Sequence, residues 1–396
     1  MRNYDSVLLA RPMSPFHDAV DDQSDTSSIY SGSSGRMSQR SSSSATTQDV
    51  EMRSLSPSPS LYSMTDSLIA SSYRQEYGRN LQAHSEVYRL PADEEEIERL
   101  NKQHEMFKKV MGKYPPPLDE VLRDTIPGEP KRCVDLGCGS GAWILEVAHD
   151  YPNCQCLAVD LVPMQNTDMP ENCRSEVDDI NLGLQHYYGD FDVVHTRLIC
   201  TGITDYAGLV DQMVMTLRPG GLLDMTEYNF LIYDHNKQPI QVNLQSQQGP
   251  FLPKWMHLAQ IAIRQRGGDV EAAHHLHNWV TEHPDLSDIS YKPLWFQASP
   301  WRQGNDPYTQ TENEVGEVMR EDLLVSLSKS ALSLTRLPRF LSSKAFMKAG
   351  RPLLLGTGVP EHLVNAIEER ARAELLEART PLYLLVENVY ARRRPW

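Results

Sequence analysis

The chain has 396 residues, with 38 Lys and Arg against 53 Asp and Glu, a formal net charge of −15 at pH 7. That length holds one large domain with appendages or two domains, ample for a buried core. The acidic balance argues against a nucleic-acid binder, which needs a basic face to displace counterions from phosphates, and no run of about 18 apolar residues is present to span a membrane.

The first stretch, residues 1–85, reads as a disordered tail. "SDTSSIYSGSSGRMSQRSSSSATTQD" and "SLSPSPSLYSMTDS" are Ser-rich and lack the apolar periodicity that would offset the entropy of ordering. Ser14-Pro15, Ser56-Pro57 and Ser58-Pro59 suit proline-directed kinases. The tail is therefore either a regulatory segment with protein partners or a passive solvated one. Its apolar run "VLLA" is too short for a secretory signal, which leaves the cytoplasm or the nucleus.

Residues 86–130 are expected to form an N-terminal helical lid. "ADEEEIERLNKQHEMFKKVMG" places acids at its start and lysines near its end, and Ile97, Leu100, Phe107 and Met111 recur at helical spacing. Pro115–Pro117 then stop the helix. It either lids a ligand site or packs on a sheet edge.

From 131 to 230 strands and helices alternate: "RCVDLG", "GAWILEVAHDYP", "CQCLAVDL", "FDVVHTRLI", "DYAGLVDQMVMTLRPGG" and "LLDMTEYNF". That alternation predicts a parallel α/β sheet with crossover helices. Residues 231–345 are less regular and are expected to form a largely helical insertion that caps an acceptor site. There Trp255, Trp279, Trp295 and Trp301 either face a flat apolar ligand or make the core of the cap. Residues 346–396 supply an amphipathic helix and a last strand that complete the core.

"CVDLGCGSGAW" carries glycines on alternate positions, Gly137, Gly139 and Gly141, behind Asp135. A dinucleotide turn spaces its glycines differently and places a pyrophosphate on the next helix. Asp135 would repel that group, but suits a ligand carrying an ammonium and a sulfonium. Asp160 ends the following strand, 19 residues after Gly141, where a carboxylate can accept both ribose hydroxyls. NAD also needs that ribose contact, so only the combination favours S-adenosyl-L-methionine. No metal is expected. Cys133 and Cys138 bracket the turn, while Cys154 and Cys156 alternate along a strand, unlike paired ligands on loops. The "HHLHNW" run at 274–279 has no matching carboxylate or cysteine pair nearby.

"VDLGCGSGAWILEVAHDYP", "AVDLVPMQ", "MPENCRSEVDDI", "FDVVHTRLI" and "LRPGG" resemble the class I S-adenosylmethionine-dependent methyltransferases, and most of all the fungal LaeA-like (UMTA-type) group. The resemblance covers about residues 88–230 and 345–396. It implies a Rossmann-like seven-stranded sheet. Asp135, Gly137, Gly139 and Gly141 would line the methionine end of the cofactor, with Asp160 and Leu161 at the ribose. Asp178 or Asp179 would meet the adenine amino group and Ile180 its ring. Apart from the resemblance, Gln103 and His104 lie on the pre-core helix, and His104 is expected to reach the cofactor if that helix lids it. "INLGLQHYY" departs from the group's usual proline-aromatic pair at that point.

His195 should stand at the carboxyl end of the fourth strand, facing the methyl group. It is the candidate general base, although a hydrogen-bonded structural histidine fits as well. Arg197 shares its face. Glu227 and Tyr228 line an acceptor pocket or serve packing alone. The leading function is methyl transfer to an unidentified acceptor, with a small secondary metabolite favoured. A regulator of secondary metabolism acting on protein or through partners, and a non-catalytic cofactor-binding module, are the alternatives, and an NAD(P)-dependent oxidoreductase is an outsider.

Overall fold

The computed structural model describes residues 65–123, 129–164, 168–324 and 346–395. Most of the tail expected over 1–85, with its Ser-Pro sites, lies outside the described residues. Residues 65–85, within that stretch, carry a short helix and a hairpin. A short helix, α1 (Asp66–Ser71), is capped by the Thr65 side chain, which accepts from Leu68 N–H. An antiparallel hairpin follows, β1 (Tyr73–Glu76) and β2 (Arg79–Gln82). Its two loop residues, Tyr77 and Gly78, both take positive φ (50° and 76°), the conformation a two-residue hairpin needs.

Arg79 ties this hairpin to Asp93, with Nε 2.7 Å from Oδ2. Asp93 in turn caps helix α2 (Glu94–Met111) by accepting from Glu96 N–H. Gly112, at φ 88°, ends α2, and α3 (Leu118–Leu122) follows the prolines.

The core then builds in chain order. β3 (Arg132–Leu136), α4 (Ala142–Asp150), β4 (Gln155–Asp160) and β5 (Cys173–Val177) form its first half. β6 (Phe191–Arg197), α5 (Tyr206–Thr216) and β7 (Leu217–Tyr233) begin the second. Next come α6 (Leu252–Gln265), α7 (Ala272–Glu282), β8 (Leu286–Gln297) and α8 (Pro307–Leu323). α9 (Phe346–Gly356), α10 (Glu361–Glu377) and β9 (Tyr383–Arg393) end the chain.

The strands join in the order β5-β4-β3-β6-β7-β9-β8. The first five run parallel, and β9 lies antiparallel between β7 and β8. This is the seven-stranded arrangement that the family resemblance implied. The central strands read as continuous apolar runs because helices cover both faces. Val134, Val159 and Val194 are fully buried, each contributing about 1.5–3 kcal/mol of burial. β8, placed by the sequence in a helical cap, instead extends the sheet, and its Pro293 is tolerated because the strand lies at the edge. The chain leaves β3 toward one edge and β6 toward the other. The crevice at their carboxyl ends is the place where such sheets bind ligands.

Candidate functional site

At the end of β3 the chain turns through the three glycines, at φ 74°, 55° and 75° for Gly137, Gly139 and Gly141. A Cβ on Gly137 would sit 2.5 Å from Ile199 Cγ2, and one on Gly139 would sit 2.9 Å from Leu100 Cδ1. Only glycine satisfies both the left-handed backbone and the close approach. The turn is pinned to β4: Gly137 N–H and Cys138 N–H donate to Val159 O, and Gly139 N–H donates to Asp160 Oδ2 at 2.8 Å. Burial raises the Asp160 carboxyl, with backbone N–H donors opposing. Asp160 thus holds the turn as well as facing the cavity beside it.

That cavity gathers most of the residues singled out in the sequence. Asp135, Gly137, Gly139, Asp160, Leu161, Asp178, Asp179, Ile180 and His195 all line it. Asp178 N–H donates to Asp160 O, while Asp178 Oδ2 stands 3.1 Å from His186 Nε2. Asp179 caps a short 3-10 turn, accepting from Asn181 N–H, which presents the buried Ile180 to the cavity. Two sequence-derived residues stand elsewhere. Gly141 is the N-cap of α4, outside the lining. His104 is buried outside the lining as well, with Nδ1 accepting from Arg197 Nη2 at 3.1 Å and Nε2 3.2 Å from Glu146 Oε2. Burial lowers the pKa of this imidazole.

His195 lies beside Asp135, its β-ladder partner, with Nδ1 2.8 Å from Asp135 Oδ1. The indole of Trp143 stacks on the imidazole at 3.7 Å and 6°. Nε2 is 3.9 Å from Asp224 Oδ2. In the neutral ring an ionised Asp135 holds the proton on Nδ1 and leaves Nε2 as the acceptor. One oxygen of Asp135, expected to face a ligand ammonium, is therefore committed to His195.

The helix expected as a lid passes over the glycine turn, with Arg99, Leu100, Gln103, Met106 and Phe107 lining the cavity. Its buried face is partly polar: Arg99 pairs with Glu96 (2.7 Å) and with Asp322 of α8 (2.8 Å), to which Gln103 also donates. Beyond it the cavity becomes apolar, walled by Phe107, Tyr228, Phe230, Met319, Leu323 and Leu384. None of the four tryptophans of the insertion lines it. Trp255 is in the main core, Trp279 stacks on Tyr206, and Trp295 and Trp301 pack around Tyr383. The insertion reaches the cavity through α8 instead.

Glu227 lies fully buried at this end. Its Oε1 accepts from Ile199 N–H (2.8 Å), Cys200 N–H (3.1 Å) and Tyr206 O–H (2.9 Å), and Oε2 is without a hydrogen-bond partner among the described residues. Burial pushes its carboxyl up to about 7. Sequence reasoning missed Tyr88, whose ring lies so close to Gly202 that a Cβ there would be 3.1 Å from Cδ2, and which also lines the cavity. It also missed the Trp143–His195 stack, between residues 52 positions apart (195 − 143).

Among the described residues, one group could gather three metal ligands: His104, Glu105 and Glu146. Lys108 already bridges its two carboxylates, at 2.9 and 2.5 Å. All six cysteines are free thiols, and burial pushes those of Cys133, Cys138 and Cys200 up. No described helix is long and apolar enough to cross a membrane.

The family model described as "Methyltransferase domain" matches residues 103–283. The secondary metabolism regulator laeA of Coprinopsis cinerea is 42% identical over 324 residues, 81% of this chain and 74% of that protein. Methyltransferase pytC of Aspergillus terreus is 24% identical over 72% of this chain and 82% of its own length. The protein-methionine methyltransferase laeA of Emericella nidulans is 26% identical over 55% of this chain and 54% of that one. With its parallel sheet, glycine turn and acidic strand ends, the chain belongs to the LaeA-like family of S-adenosylmethionine-dependent methyltransferases.

Proposed function

We propose that the acceptor is a small, largely apolar molecule, seated between α2, β7, β9 and α8. The observation that carries this reading is the apolar far end of the cavity, enclosed by Phe107, Tyr228, Phe230, Met319, Leu323 and Leu384. Such a wall desolvates a flat ligand, and of the carboxylates beside it Asp322 is taken by Arg99 and Gln103, while Glu227 accepts from Ile199 N–H, Cys200 N–H and Tyr206 O–H. The cradle suits the cofactor: Gly137 and Gly139 leave the space a Cβ would fill, and the acidic wall matches a cationic sulfonium. In this reading Asp160 meets the ribose, and Asp178 or Asp179 with Ile180 meets the adenine. The backbone of Gly137 and Gly139, with Asp135, faces the methionine end.

Bound S-adenosylmethionine supplies a methyl group on an already activated sulfonium, so the chain's task is to align the acceptor and exclude water. α2 and Tyr88 close the cavity over the turn. His195 Nε2 receives the acceptor's proton where the acceptor must lose one, with Asp135 holding the ring in the tautomer that leaves Nε2 open. Asp160 and His195 are the residues whose substitution should separate binding from turnover. The free thiols favour a reducing compartment, the cytoplasm or the nucleus. The Ser-rich stretch ahead of Thr65 is proposed to carry regulatory contacts.

A protein acceptor is the competing reading, favoured by the name of the Emericella nidulans relative. Incubating the full chain with methyl-tritiated S-adenosylmethionine and a cell extract tests both. Label in the solvent-extractable fraction supports a small-molecule acceptor. Label confined to a protein band overturns it.

A further inference from the structure

Among the described residues the cavity wall carries six carboxylates and two arginines. One arginine, Arg99, is committed: Glu96 and Asp322 hold its guanidinium at 2.7 and 2.8 Å. Arg197 is not. It ends β6, two residues beyond His195 and on the same sheet face, beside the glycine turn. Its Nη2 donates to the neutral acceptor Nδ1 of His104, and its Cζ lies 5.2 Å from the centroid of the Phe107 ring. Among the described residues no carboxylate comes within ion-pairing distance of it. Three acids act on it only through space: Asp135 with Oδ1 given to His195, Asp224 with Oδ1 given to Asn388, and Glu146, which is shared between Lys108 and the far nitrogen of His104.

A sheltered guanidinium without a counter-ion is unfavourable unless a ligand supplies the anion. The cofactor brings one carboxylate, on its methionine half, into a wall that is otherwise acidic. We infer that Arg197 is the carboxylate-binding residue of the cofactor site, its planar fork pairing with the methionyl carboxylate beside Gly137. Planar bidentate pairing of this kind is what Arg offers and Lys does not. The aromatic face of Phe107 and the lone pair of His104 hold the fork in place before the ligand arrives.

The test compares two ligands that differ by that carboxylate alone, S-adenosylhomocysteine and its decarboxylated analogue, titrated calorimetrically into the full chain. Wild type should prefer S-adenosylhomocysteine by roughly 10- to 100-fold, the size of a charge-assisted pair. In Arg197→Gln the preference should collapse toward one, with the affinity for the decarboxylated ligand little changed. Any shared loss of folded protein cancels in the ratio. Arg197→Met, which keeps an apolar stem of similar length, gives the same reading if the Gln variant fails to fold. A preference that survives in both variants overturns the assignment, as does a wild type that binds the two ligands equally. Binding of neither ligand by the wild type overturns it together with the cofactor.

Discussion

Glu227→Gln offers a stability experiment whose size follows from the site. The carboxyl is fully buried, with one oxygen taking three hydrogen bonds and the other none among the described residues. Burial moves its pKa from an ordinary 4.5 to about 7. Between those values the native state keeps a proton that the unfolded chain has released. Stability from this group is therefore fully present below pH 4.5 and is lost as pH rises through 7. The shift corresponds to about 3 kcal/mol in total, most of it between pH 5 and 8. The amide of the variant is permanently neutral and has no such slope. Urea unfolding of both proteins from pH 5 to 8.5 should show the variant gaining about 2–3 kcal/mol on the wild type as pH rises. Curves that stay parallel across that range would show that the carboxylate is solvated, and would remove the case for a closed apolar acceptor end.

Other changes read the cofactor end. Gly137→Ala forces a left-handed Cβ against Ile199 and should cost about 1–2 kcal/mol of stability, with weaker S-adenosylhomocysteine binding, read by thermal unfolding and calorimetry. Removing residues 1–64 should leave cofactor affinity intact, whereas removing 1–85 should weaken it about tenfold by releasing a pre-ordered wall. The longer cut deletes the hairpin and Gln82, whose side chain holds Tyr88 O at 2.7 Å and so keeps the ring over the cavity. Equal affinities for the two truncations would show that Tyr88 does not need the hairpin.

How much of this was readable beforehand depended on whether the signal was local. The glycine turn and Asp160 were legible because backbone conformation and strand ends leave marks in the residues themselves. Strand and helix alternation likewise gave the parallel half of the sheet. The hairpin was missed because "YRQE" and "RNLQ" carry no apolar alternation, and it is held by ion pairs such as Arg79–Asp93 instead. Its one local mark, Tyr77-Gly78, is a weak turn signal. β8 was obscured by Pro293, which only a sheet edge tolerates. The buried polar face of α2 hid for a related reason. Arg99 and Gln103 look solvated on a helical wheel, yet Asp322, more than two hundred residues away, draws them inward. The isolation of Arg197 and the stack of Trp143 on His195 are properties of packing that no stretch of sequence contains.

The central claim is that the glycine turn and Asp160 hold a sulfonium nucleoside. Calorimetric titration of the full chain with S-adenosylhomocysteine and, separately, with NAD addresses that claim directly. Saturable one-to-one binding of S-adenosylhomocysteine, lost in Asp160→Ala, with no heat from NAD, is the predicted result. Binding of NAD without S-adenosylhomocysteine, or an Asp160→Ala protein that binds as the wild type does, would contradict it.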